Sequence, residues 1–193
     1  VGVGEDWYYS TLQAALDDAK EGSKIIILAG EYNENVTISL ANLTIVGPNA
    51  GTNPNTFARE EEAVLTGVIT VLASANNFTM DGLSFTKGAK IVGSENKEYH
   101  NFKFVNNLVY DTNASTTDWV INRYVMKGFV EFNLPKGGST NHFYFANNRF
   151  TNVSDVNLLI NRVVNLSVEG NVFLDFDRDA IRCEGGYNQG IIS

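Results

Sequence analysis

The chain has 193 residues, of which 44 % are hydrophobic and only 19 % charged, a balance that excludes intrinsic disorder and suffices for one domain with a continuous core. A formal net charge of −8, a pI of about 4.7 and the lack of any Lys/Arg cluster exclude a partner such as nucleic acid, which is recognised through a basic stripe. No apolar run reaches the roughly 18 residues of a membrane span, and Cys183, the single cysteine, excludes an intrachain disulfide and is expected to be a buried side chain.

The first predicted element is a helix. Leu12, Ala15, Leu16 and Ala19 recur at helical spacing, with Asp17, Asp18 and Lys20 on the other face. Ser10 and Gln13 read as a capping box, and Gly22 as the stop, placing a capping helix over about residues 10–21.

Everything after it, about 25–193, reads as short strands. Apolar IIIL at 25–28 and VTI at 36–38 lead to LTIVG at 43–47. That last pattern returns as FTMDG at 78–82, FKFVN at 102–106, FYFAN at 143–147 and LSVEG at 166–170. Each copy is apolar, polar, apolar, variable, then Gly or Asn, the residues that best tolerate positive φ, so each predicts a left-handed corner. Asn107, Asn148 and Asn171 follow three of these corners and predict a stacked asparagine ladder. An aromatic soon after the corner (Phe85, Tyr110, Phe150, Phe173) predicts a second strand.

The copies start 35, 24, 41 and 23 residues apart. The short intervals are one coil of a strand-built solenoid; the long ones are a coil plus an excursion, at 48–62 and 111–118. A third strand per coil is aligned on VINR at 120–123, LINR at 159–162 and AIRC at 180–183, with the Ile inward and Asn122, Asn161 and Arg182 outward in register. The expected fold is therefore all-β: a right-handed parallel β-helix of about five to six coils in one domain over 1–193, closed at its N-terminal end by the helix.

The opening stretch, YSTLQAAL at 9–16, Gly22, IIIL at 25–28, GEY at 30–32, ENV at 34–36 and NLTIVG at 42–47, resembles the pectin lyase-like right-handed parallel β-helix superfamily. The resemblance implies a capping helix followed by coils. It also implies a range of roles: polysaccharide lyases, hydrolases, esterases, phage spikes and adhesins. The catalytic motifs of pectinesterases and of polygalacturonase-like hydrolases are not found in the chain. His100 and His142, just before two copies of the repeated strand, are read as turn residues.

Two constellations could carry chemistry. Asp175, Asp177, Arg178, Asp179 and Arg182 form the densest polar cluster. Calcium held by Asp175, Asp177 and Asp179 would neutralise an acidic sugar while Arg182, with Arg178 and Asp179 beside it, moves a proton. The stripe Asn122, Asn161 and Arg182, at the 4.8 Å spacing of stacked strands, could instead follow an extended glycan, with Trp119 or Tyr124 as a stacking face. The six Asn-x-Ser/Thr triplets, at Asn35, Asn42, Asn77, Asn113, Asn152 and Asn165, are expected by chance in so Asn- and Thr-rich a chain.

The sequence leads to a noncatalytic module, secreted or on the cell surface, that contacts polysaccharide and needs no cofactor. The alternatives are the N-terminal part of a carbohydrate-active enzyme and a segment of a phage-type spike. The start at Val1 without Met or a leader, and the stop in mid-coil at Ser193, suggest a piece with more chain expected after Ser193.

Overall fold

Strands of two to six residues are too short to stand alone and must stack to cover their apolar edges. The computed structural model shows them stacked. It describes residues 2–4, 8–93, 98–112, 119–121, 124–126, 128–134, 142–183 and 189–193. The first sheet contains Gly2–Val3, Lys24–Ile27, Thr44–Val46, Thr79–Asp81, Phe102–Val105, His142–Ala146, Asn165–Glu169 and Gln189–Ile192, all parallel. The second contains Gly30–Tyr32, Ala63–Leu65, Ser84–Lys87, Leu108–Thr112, Arg149–Val153 and Val172–Leu174. The third contains Val36–Ile38, Val68–Val71, Lys90–Gly93, Gly128–Asn133, Val156–Asn161 and Asp179–Arg182. The chain visits the three sheets in turn, so the architecture is all-β and compatible with a parallel β-helix.

All five predicted copies of the repeated strand lie in the first sheet and in the predicted register. Thr44 faces Thr79, which faces Lys103, then Tyr144, then Ser167. Their inward residues fill a core of stacked aromatics: Phe104 lies 5.5–6.4 Å from Phe85, Phe145 and Phe150, and Phe150 stacks on Phe173 at 4.8 Å. In the second sheet Val109, not Tyr110, takes the inward position opposite Phe85 and Phe150; the one-residue offset of Tyr110 turns its ring to the outside.

The helix is Leu12–Asp18, and its apolar face (Leu12, Ala15, Leu16) is buried. Its cap differs from the predicted one. Thr11, not Ser10, takes the N-cap and accepts from Ala14 N at 3.2 Å. The carboxylate of Glu34, from the connection between Gly30–Tyr32 and Val36–Ile38, accepts from the backbone N–H groups of Leu12 and Gln13 at 2.7 and 3.1 Å. Those free N–H groups carry the positive end of the helix dipole, which suits a carboxylate. Gln13 is thereby released to bond Asp17 and the N–H of Thr37.

The third-sheet alignment read from the sequence is wrong. Residues 119–121 pair antiparallel with 124–126, outside the three stacks, and Gly128–Asn133 takes the place expected for 120–123. Asn161 then stands opposite Asn133, and Arg182 opposite Leu159. A slip of two residues keeps every side chain on its own face, so strand alternation cannot tell the two registers apart. The core decides: Phe129 and Phe132 fill it, each in contact with three or more other rings.

Candidate functional site

The corners that hold the stack also define its surfaces. Gly82, Asn106, Asn147 and Gly170 adopt positive φ after the repeated strand, as expected; Gly47 does not. A Cβ on Gly47 would lie 2.2 Å from the carbonyl oxygen of Gly82, so this glycine serves close backbone approach. Behind these corners runs the predicted ladder. The side-chain oxygens of Asn107, Asn148 and Asn171 accept from the N–H groups of Leu83, Asn107 and Asn148, each at 2.9 Å. Their amide nitrogens donate to the carbonyls of Met80, Phe104 and Phe145. Each Asn therefore satisfies a donor and an acceptor of the preceding turn, and Asn107 and Asn148 are fully buried.

The excursion at 48–62 lies over this corner as a strap. Asn49 closes its base through Glu60 N and Glu60 O. Arg59 forks onto Glu62 at 2.6 and 3.0 Å and reaches the carbonyls of Thr52, Asn106 and Leu83. Asn55 donates further along the stack, to the carbonyls of Asn148 and Gly170. One loop thus bonds four successive corners.

On the opposite side of the first sheet a second asparagine row forms. Asn42, Asn77 and Asn101, all at positive φ, are joined amide to amide at 2.7 and 2.6 Å. Between this row and the strap lies the outer face of the first sheet, and in it a depression of about 380 Å³ lined by Asn77, Thr79, Asn101, Phe102, Lys103, His142 and Tyr144. Two lines of side chains cross it: Asn77, Asn101 and His142 in one, and Thr79, Lys103 and Tyr144 in the next. The position that Asn occupies in the preceding strands belongs here to His142, and the row is interrupted at that point. Lys103 is exposed and pairs with no carboxylate among the described residues, although the chain carries an excess of acid. The nearby Asp81 is occupied by Gly51 N and Asn106 Nδ2. Exposed donors, an aromatic face at Tyr144 and strands repeating at about 4.8 Å can hold a polar polymer lying across the strands.

The residues singled out from the sequence lie elsewhere. Arg178 and Arg182 are paired, with Asp155 at 3.4 Å and with Asp179 at 3.1 Å. Asp175 is a positive-φ corner residue in register with Asp111 and Asn152, and Asp177 is exposed. Calcium needs six to eight oxygens. The Asp179 carboxylate already serves Arg182, and no cluster of three His, Cys, Asp or Glu suited to a metal occurs among the described residues. The donor set does not fit the ion. Asn161 is buried, Asn122 lies outside the described residues, and Trp119 and Tyr124 lie on the antiparallel pair. The structure does not bring these together as one stripe with Arg182. His142 is a strand residue in the depression rather than a turn residue, whereas His100 precedes its strand and lies 3.6 Å from Glu98.

Two buried groups stand apart from the depression. Lys90 and Glu131 form an ion pair at 2.6 Å on the third sheet, both almost fully buried, and burial raises the Glu131 carboxyl above its ordinary value against the opposing pull of Lys90. Burial also pushes the Cys183 thiol up to about 11. No family model, no curated protein and no solved structure matches the chain. No helix among the described residues is long and apolar enough to cross a membrane.

The sequence reading missed the depression because its residues belong to three different copies of the repeat. One signal was available: at the position two residues before the central polar residue of the repeated strand, His142 stands where other copies carry Asn42, Asn77 and Asn101.

Proposed function

We propose that this chain is a noncatalytic, right-handed β-helix module of about six turns, related to the pectin lyase-like superfamily and displayed outside the cell. It holds a polysaccharide across the outer face of its first sheet. The observation that carries the reading is the depression in which Lys103, with no ionic partner among the described residues, stands between Asn101 and Tyr144. A glycan unit there would accept bonds from Lys103 and His142 and lie against the Tyr144 ring, while neighbouring units met Thr79 and Asn77. Catalysis at Arg178–Arg182 is less well supported, because both guanidinium groups are held by carboxylates.

The test is a panel of uronate and neutral polysaccharides, with and without calcium, read for binding and for chain cleavage. Binding without cleavage, lost in Lys103→Ala and Tyr144→Ala but kept in Arg182→Ala, supports the module. Cleavage that disappears in Arg182→Ala overturns it in favour of an enzyme.

A further inference from the structure

The second asparagine row has a direction. Asn42 Nδ2 donates to Glu21 Oε1 at 2.6 Å, Asn77 Nδ2 to Asn42 Oδ1, and Asn101 Nδ2 to Asn77 Oδ1. A carboxylate can only accept, so Glu21 obliges Asn42 to turn its amide nitrogen toward the helix end and its oxygen toward Asn77. The same orientation is passed along to Asn101. The row therefore ends with an acceptor, Asn101 Oδ1, at the edge of the depression, where His142 replaces the next Asn. No donor among the described residues reaches that oxygen. Lys103, in the strand Phe102–Val105 that begins directly after Asn101, lines the same depression as a donor with no carboxylate partner among the described residues.

We propose that this acceptor–donor pair recognises the acetamido group of an N-acetylated sugar unit, a proposal that rests on reading the depression as a polysaccharide site. The ligand amide takes the place of the missing rung. Its N–H donates to Asn101 Oδ1, as the side chain of a further Asn would, and its carbonyl accepts from Lys103 Nζ. A trans amide points N–H and C=O in opposite directions and can bond both groups that line the depression at once. A hydroxyl has donor and acceptor on one atom and bridges less, and a carboxylate presents only acceptors, leaving Asn101 Oδ1 facing another oxygen. The methyl group of the acetamide has the Tyr144 ring to lie against.

The experiment uses a glycan array of N-acetylhexosamine oligomers, each paired with the counterpart bearing hydroxyl in place of acetamido, followed by calorimetric titration of the best pair. The acetamido member is expected to bind at least tenfold more tightly. Asn101→Gly, which suits the backbone at φ 54°, is expected to erase that preference while the protein stays folded. Lys103→Ala is expected to weaken the acetamido ligand most. Equal affinity within pairs, or a preference that survives Asn101→Gly, overturns the acetamido proposal and leaves the groove reading standing. If no glycan on the array binds, the groove reading falls and this proposal with it.

Discussion

Replacing Arg59 by Ala tests whether the strap ties the stack together. Arg59 is only 9 % exposed at its side chain and makes two bonds to Glu62 and three to backbone carbonyls. Hydrogen bonds involving a charged group contribute about 1.5–3 kcal/mol each, and removing one partner of a buried pair costs about 3–5 kcal/mol. Glu62 is 21 % exposed and keeps its bond from Ser84, so part of its charge is solvated after the change. The three carbonyls lose a donor that water can partly replace. The expected net loss is therefore at the low end, about 3 kcal/mol, or roughly 6–12 °C in Tm for a chain of this size. Arg59→Lys should lose most of this too, because an ammonium cannot fork onto Glu62 and the carbonyls at once. The assay is urea denaturation followed by circular dichroism, together with limited proteolysis between residues 48 and 62. A solenoid couples only neighbouring turns, and the strap adds contacts across four corners. The unfolding transition of Arg59→Ala is therefore expected to broaden as well as shift. A variant within about 0.5 kcal/mol of the parent, the scale of an ordinary surface substitution, with an unchanged cleavage rate, would refute the reasoning.

Further outcomes follow from the buried polar groups. Asn148→Ala leaves the buried N–H of Asn107 without its acceptor and takes one donor from the carbonyl of Phe104, and a loss of about 2 kcal/mol is expected by denaturant titration. Glu131→Gln removes the carboxylate that faces the buried Lys90 ammonium and should cost about 3–5 kcal/mol, whereas the paired change Lys90→Met with Glu131→Leu should recover most of it; a double variant no better than the single one would count against a buried pair. Cys183 is half-buried rather than fully buried; with its thiol raised to about 11, it should react with iodoacetamide at pH 8 far more slowly in the native protein than in urea, and comparable rates would contradict the raised value. The folded-state thiol lies above its unfolded value, so its contribution to stability is complete below about pH 9 and fades as pH rises through about 11.

The parts of this fold legible in the sequence were those that repeat. Five copies of one strand pattern, each closed by Gly or Asn, placed the first sheet and its register, and Asn107, Asn148 and Asn171 placed the ladder. Register in the third sheet was not legible, because LIN at 159–161 and AIR at 180–182 match equally well after a slip of two. The role of residues 48–62 was hidden for another reason. Asn55 and Arg59 bond carbonyls up to 115 positions away, and a backbone carbonyl leaves no mark in sequence. The depression was half legible: His142 breaks a column of Asn, yet only the stacked strands bring Lys103 and Tyr144 beside it.

The most direct test of the account is an amide chemical-shift map of the labelled protein with the best ligand from the glycan array. Shifts concentrated at Asn77, Thr79, Asn101, Lys103, His142 and Tyr144, and absent from Arg178–Arg182, are the expected result. Shifts centred on Asp175–Arg182, or on the third-sheet residues Asn161 and Arg182, would contradict the placement of the site on the first sheet.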